Sequence, residues 1–494
     1  MDPPTMDETY GAMYIGLLFA VFFQGVLTVQ AYIYYENFPQ DPQRIKLVVA
    51  AVWMTDLAHL ILISSAGYHY FIRSWGDNAA LLISVEPLNL HLTFIGLASI
   101  ICQVFFLHRV WLLSNRQTVL VAILGAGCMT TFAFDIGMSV VFSRAPMVTT
   151  FTKYVPEVLA LFSSSAFIDL VIAALLVYYL NKGRGGIPRS NSIIDRIMQY
   201  TVATGLATSL LAFACVIAYV VRPMSFIYIA MHFSLGRLYT NALLASLNAR
   251  RNLRANTVNV TPLAAIARPR VFSTVLSEPT NMHDLSVYEI EVNTTEDKRK
   301  DVLFAVFFQG VLTVQAYNYY ENFPQDPRRI KFIVAAVWLT DLVHLVLISS
   351  AGYHYFISNW GNDAALGISV QALNLHLAFI GLASIICQVF FLHRVWLLSN
   401  RQTLLVALLG IGCLTTFSFD IGMSVVFSKH PIIGTFMKYT PQILALFSSS
   451  AFVDLVIAGL LVYYLRLGRG RAPRSNFIID RIIQYTVATG LATR

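Results

Sequence analysis

The stretch "LFAVFFQGVLTVQAY" runs from Leu18 to Tyr32 and recurs unchanged from Leu303 to Tyr317. It contains no charged residue, and apolar side chains fall on every face of a 3.6-residue helix. A helix on the surface of a soluble protein keeps a polar stripe, whereas a membrane span does not need one. The rest of the chain agrees with the membrane reading. Of 494 residues 57% are apolar and 12% are charged, the latter about half the usual share for a soluble domain. Apolar runs of about 18 or more residues recur throughout.

In the first half these runs are expected at about 12–35, 46–70, 88–112, 118–142, 156–180, 198–221 and 225–247. Polar turns such as "ENFPQDPQR", "SWGDN" and "NKGRGGIPRSN" separate them. The sequence therefore predicts an all-α membrane protein whose first domain, 9–250, is a seven-helix bundle. Residues 251–301 are polar, charged and aperiodic, and they read as a flexible cytosolic linker. The first half then restarts: 17–208 aligns with 302–493 without a gap, most positions being identical. The second domain, 302–494, reads as a truncated copy holding helices one to five and the start of a sixth.

Loop charge predicts orientation. Arg44, Lys46, Arg109, Arg116, Lys182, Arg184, Arg189, Arg196, Arg250, Arg251 and Arg254 lie on one side; Arg73, Arg144, Lys153 and Arg222 lie on the other. The richer side is cytosolic by this rule, so the first copy is expected N-out and C-in, in the plasma membrane or an endomembrane. Two readings of the second copy stay open. It inserts in the same sense if its shortened first segment lies at the interface, or the chain joins two tandem genes and the second copy has no function.

Ionisable residues at membrane depth are costly and mark candidate functional sites. Helix position places Asp56, Asp169 and Arg237 near the midplane. His59 stands one turn from Asp56, and Asn241 one turn from Arg237. Asp56, His59, Asp169, Arg237 and Asn241 form the expected intramembrane charge network, with Arg237 paired to Asp56, Asp169 or both. Asp341, His344 and Asp454 are the second-copy equivalents. Asp135, Gln24, Gln30, Gln103 and His232 add polar groups. The network reads either as packing, as a ligand- or ion-binding centre, or as a proton relay through Asp56 and His59.

Several chemistries find no motif. The last span of the first copy, "SFIYIAMHFSLGRLYTNALLASLNAR", holds no lysine for a retinal Schiff base. No His-Glu-x-x-His box, nucleotide-binding glycine loop or nucleophile elbow occurs. The five cysteines all lie inside apolar runs, where they read as small buried residues. No catalytic residue, metal site or cofactor is expected, and the chain reads as a non-enzyme. The expected partners are the bilayer and, at the basic inner loops, a cytosolic protein or anionic lipid; nucleic acid is not expected.

Four stretches, "AAVWMTDLAHLILIS", "CQVFFLHRVWLLS", "IIDRIMQYTVATGLATSLLA" and "FSLGRLYTNALLASLNAR", resemble a family of seven-span membrane proteins of unknown function from mushroom-forming fungi. The resemblance implies an integral membrane protein of seven helices, and it assigns no biochemistry. It covers the first copy and the second up to its truncation. The plan of seven spans with the N-terminus outside is also similar to G-protein-coupled receptors. However, "HRV" at 108–110 lacks the flanking acid and aromatic residue of their helix-three motif. A receptor-like sensor of a small or lipophilic ligand and a carrier that uses the midplane charges both fit these residues.

Overall fold

The computed structural model describes residues 5–149, 153–182, 206–222, 224–250 and 287–467, with backbone alone at 287–301 and 435–437. Two compact units emerge, Met1–Gln315 with Phe356–Gly361, and Ala316–Tyr355 with Asn362–Arg494. Among the described residues the fold is helical, with only isolated bridges such as Ile83 to Met147.

The first-half helices are α1 (Ala12–Asn37), α2 (Gln43–Tyr68), α3 (Glu86–Leu113), α4 (Thr118–Arg144), α5 (Val155–Lys182), α6 (Leu206–Val221) and α7 (Ile227–Asn248). A π-turn precedes α1 at Asp7–Gly11, and another extends α2 at His69–Arg73. The start of the sixth expected span, including 198–205, lies outside the described residues, as does the basic loop before it. Local chemistry sets the boundaries. Proline sits in the first turn of α3, where its missing N–H costs nothing and its fixed φ suits a helix. Between α3 and α4, Asn115 and Arg116 both have positive φ, 58° and 63°. Asparagine tolerates that region and arginine does so at a cost. The Arg116 guanidinium lies 5.6 Å from the Trp111 ring centre, a contact that helps offset the strain.

Helix α1 packs chiefly on α7, and α3 contacts α2, α4, α5 and α7. At Gly16 a Cβ would come within 2.5 Å of the Ala230 Cα, so α1 and α7 approach at backbone distance, as small residues allow in membrane bundles. One apolar core joins α1, α2, α3 and α7 through Leu27, Tyr34, Val52, Cys102, Leu243 and Leu244. A second joins α3, α4 and α5 through Leu107, Cys128, Ile168 and Ile172. Phe19, Leu47, Ile61, Val119, Ile123 and Phe167 point outward and are exposed, an apolar exterior that a bilayer would cover.

The later helices are α8 (Val287–Asn322), α9 (Arg328–Tyr353), α10 (Gln371–Leu398), α11 (Thr403–Lys429) and α12 (Thr440–Leu467). Helix α10 packs on α9, α11 and α12. Residues 287–301, read as linker, are helical and continue into α8. The apolar part of α8 runs Val302–Asn322, 21 residues, or about 31 Å at 1.5 Å per residue, so by length it can cross the hydrocarbon core. Residues 251–286 and the second copy's sixth helix lie outside the described residues.

Among the described residues ten helices are long and apolar enough to cross a membrane, five in each half. The chain is thus a multi-pass membrane protein by helix length and composition. Helix α7 is not among the ten, although the sequence reading counted it as a span. Its polar residues lower its hydropathy, and sixteen of its 22 residues are buried by neighbouring helices. Such a helix is shielded by protein and can carry groups that lipid would not tolerate.

Candidate functional site: a polar seam inside the first bundle

Arg237, in the middle of α7, is 0% exposed. Its Nη1 donates to His59 Nδ1 at 2.8 Å and to the Phe233 carbonyl at 2.8 Å, and its Nη2 donates to the Asp56 carbonyl at 3.3 Å. Because the guanidinium can only donate, His59 Nδ1 is the acceptor, and the neutral ring carries its proton on Nε2. The Asp56 carboxylate accepts from Thr240 Oγ1, one turn along α7 from Arg237. Among the described residues no carboxylate stands within ion-pair distance of Arg237. The expected Arg237–Asp56 association therefore takes a different form. The main-chain oxygen of Asp56 meets the cation, and its side chain is held by a hydroxyl.

Asn241 Nδ2 donates to the Arg237 carbonyl at 2.8 Å and to the Phe23 carbonyl at 3.3 Å, tying α7 to α1. Asp169 belongs to a second cluster. Its Oδ1 accepts from Gln103 Nε2 at 3.0 Å, which links α5 to α3. The structure thus brings Asp56, His59, Arg237 and Asn241 together and sets Asp169 on Gln103.

Thr240 and His91 were not singled out for this network from sequence. The His59 ring centre lies 5.5 Å from that of His91, which lies 6.0 Å from that of His232. Phe233 packs edge-on against His91 at 5.2 Å. His91 Nδ1 faces the Leu88 carbonyl, which only accepts, so that nitrogen carries the proton. His59 Nε2, His91 Nε2 and Arg237 Nε have no hydrogen-bond partner among the described residues. A cavity of about 40 Å³ borders the end of this seam nearest the N-terminus of α7, lined by Asn89, His91, Tyr228 and His232 and by apolar side chains that include Leu92 and Phe162.

The C-terminal ends of α1 and α7 are clasped. Arg250 donates to Asp41 at 2.7 Å and stacks over Phe38 at 4.4 Å, and Asn248 donates to the Gln30 carbonyl at 2.8 Å. Arg109 reaches Ser246 at 3.4 Å. At the opposite end Arg222 pairs with Glu8. In the second half Gln388 donates to Asp454 at 2.9 Å, and the His344 and His376 rings lie 5.6 Å apart. Asp341 and His344 are only half-buried.

A family of unknown function (DUF6534) matches residues 165–252 and 450–494. The first match takes in most of α5, α6 and α7, and with them Asp169, Arg237 and Asn241. The second begins at Ser450, the equivalent of Ser165. No curated protein and no solved structure matches the chain.

Proposed function

We propose that the first bundle is a receptor-like membrane sensor and that the seam from His232 to Asp56 is its switch. The carrying observation is Arg237, a sealed cation on α7 that holds α2 through both His59 and the Asp56 main chain. A small shift of α7 must break or exchange these bonds, and bistable contacts of that kind convert ligand binding into helix movement. The cavity beside His91 and His232 supplies the ligand end. Its lining is apolar with a few polar groups, which suits a small lipophilic molecule bearing one hydrogen-bonding group. On this reading the N-terminus is outside, the basic loops meet a cytosolic protein or anionic lipid, and no enzymatic step is involved. The second half carries no switch of its own.

A carrier would use the same charges to bind solute at the midplane. Arg237 is 0% exposed and so presents no face to a solute, which favours the sensor. The test screens small lipophilic molecules by thermal shift on the full chain in nanodiscs and follows each hit by uptake into proteoliposomes. Hits that stabilise the wild type, fail on Leu92→Trp and do not accumulate in vesicles support the sensor. Saturable accumulation of the same molecule would overturn it in favour of a carrier.

A further inference from the structure

Below the histidine seam lies a second cavity, about 20 Å³, walled by Ser99, Gln103, Thr131, Asp135, Ser165 and His232. That volume admits one water-sized particle. Its lining differs from that of the cavity beside His91, because oxygen donors from three helices converge on it. Asp135, on α4, is 9% exposed and makes no hydrogen bond or ion pair among the described residues. Its carboxylate occupies a notch in α3 left by Gly96, where a Cβ would come within 2.6 Å of Oδ2. The notch brings a lone carboxylate to the cavity wall and supplies no donor to it. An ionised carboxylate in that position is costly unless something positive or donating meets it.

The neighbouring groups are arranged as acceptors. Gln103 gives its Nε2 hydrogen to Asp169, which leaves its Oε1 for the cavity. Thr131 gives its hydroxyl hydrogen to the Cys128 carbonyl at 2.8 Å, which leaves its oxygen lone pairs. Ser99 and Ser165 add two hydroxyl oxygens. One carboxylate with hydroxyl and amide oxygens is a hard, singly charged donor set. It matches a small monovalent cation better than a divalent ion, which draws on several carboxylates.

We infer that this cavity is a binding site for one small monovalent cation of sodium size, held by the Asp135 carboxylate and the oxygens of Ser99, Gln103, Thr131 and Ser165. The two cavities share His232, Leu161 and Phe162 as walls, so occupancy of this site biases the same helices as the proposed sensor, yet it does not depend on that reading. The second half repeats the notch: a Cβ at Gly381 would come within 2.6 Å of Asp420 Oδ2. There the equivalent carboxylate is only half-buried, so binding is expected in the first half alone.

The test is the melting temperature of the full chain in nanodiscs, titrated with NaCl against choline chloride at constant ionic strength. A cation that binds the folded state raises the melting temperature in proportion to the logarithm of its concentration. The wild type should show this logarithmic rise with sodium. Asp135→Asn should abolish the rise, and Asp420→Asn should leave it unchanged. Thr131→Val should fold normally and weaken the apparent sodium affinity about tenfold, which guards against a misfolded Asp135 variant. No sodium dependence in the wild type, or an equal dependence in Asp135→Asn, would overturn the site. So would a stability that follows pH and ignores sodium, since a proton on Asp135 would then fill the role.

Discussion

Asp56 and Asp341 stand in nearly the same words, "WMTDLAH" at 53–59 and "WLTDLVH" at 338–344. Asp56 and His59 are each 1% exposed, whereas Asp341 and His344 are half-buried. The helices that carry them, α2 and α9, have matching bounds, and the neighbours α3 and α10 match as well. What differs is α7. In the first half it brings Thr240 to the Asp56 carboxylate and Arg237 to His59. The described residues of the second half hold no such helix. A polar residue on a membrane helix thus becomes part of a site through the helix that covers it. Gln103–Asp169 and Gln388–Asp454 make the complementary point. That bond recurs in both halves, at 3.0 and 2.9 Å, because both of its partners lie within the repeated segment.

The strongest way to break the comparison is Arg237→Met. It removes the donors to His59 and to the Asp56 carbonyl from a fully buried position. A hydrogen bond from a charged donor is worth about 1.5–3 kcal/mol, two such bonds to α2 are lost, and the full chain should lose most of its first thermal transition. A double-mutant cycle should find Arg237 coupled to His59 and uncoupled from Asp169. Coupling to Asp169 alone would show that the bundle packs in another register.

Next in size is Gly16→Val. A side chain there must displace the Ala230 backbone of α7, and overpacking of this kind costs about 1–3 kcal/mol. The double variant with Arg237→Met should be less than additive, because both act by loosening α7. Additive losses would mean that α1 and α7 hold independently of the seam.

Sequence position gave the depth of these groups well and their partners poorly. Helix bounds read from hydropathy fall within a few residues of α1 to α5 and α7, and Asp56 and Arg237 do share a depth. Depth follows from counting residues along a helix at about 1.5 Å each. Partnership also depends on rotation about the axis and on which helix is the neighbour, and neither is written in one segment. Asp169 has a suitable depth and still bonds Gln103, because α5 faces α3 there. The role of Thr240 was readable in principle, since it lies one turn from Arg237 on the same helix. His91 was harder to find, as it joins the seam only through its packing with His59 and His232. The notch at Gly96 needed coordinates, because a glycine in an apolar helix announces no partner.

A matched pair of smaller changes sharpens the contrast between the halves. Asp56→Asn should cost about 1–2 kcal/mol, because it weakens a charge-assisted bond from Thr240 inside the core. Asp341→Asn should stay within about 0.5 kcal/mol, as expected where a group keeps some exposure. The measurement is the melting temperature of the full chain, read for each variant beside the wild type. Equal losses at both positions would mean that α7 does not account for the difference between Asp56 and Asp341.

The smallest expected effect concerns the bond that both halves share. Gln103→Leu and Gln388→Leu each remove one amide donor from an aspartate on the facing helix. Interhelical hydrogen bonds in membranes are worth about 0.6 kcal/mol on average and about 1.7 at most. Both variants should therefore fall in that range, with Gln103→Leu the larger, because Asp169 is 6% exposed and Asp454 is half-buried. The difference between the two measures what deeper burial adds to the same bond when the local sequence is nearly constant. If Gln388→Leu cost more than Gln103→Leu, burial would not be the controlling variable. The local packing of α10 against α12, and not cover by α7, would then set the difference between the halves.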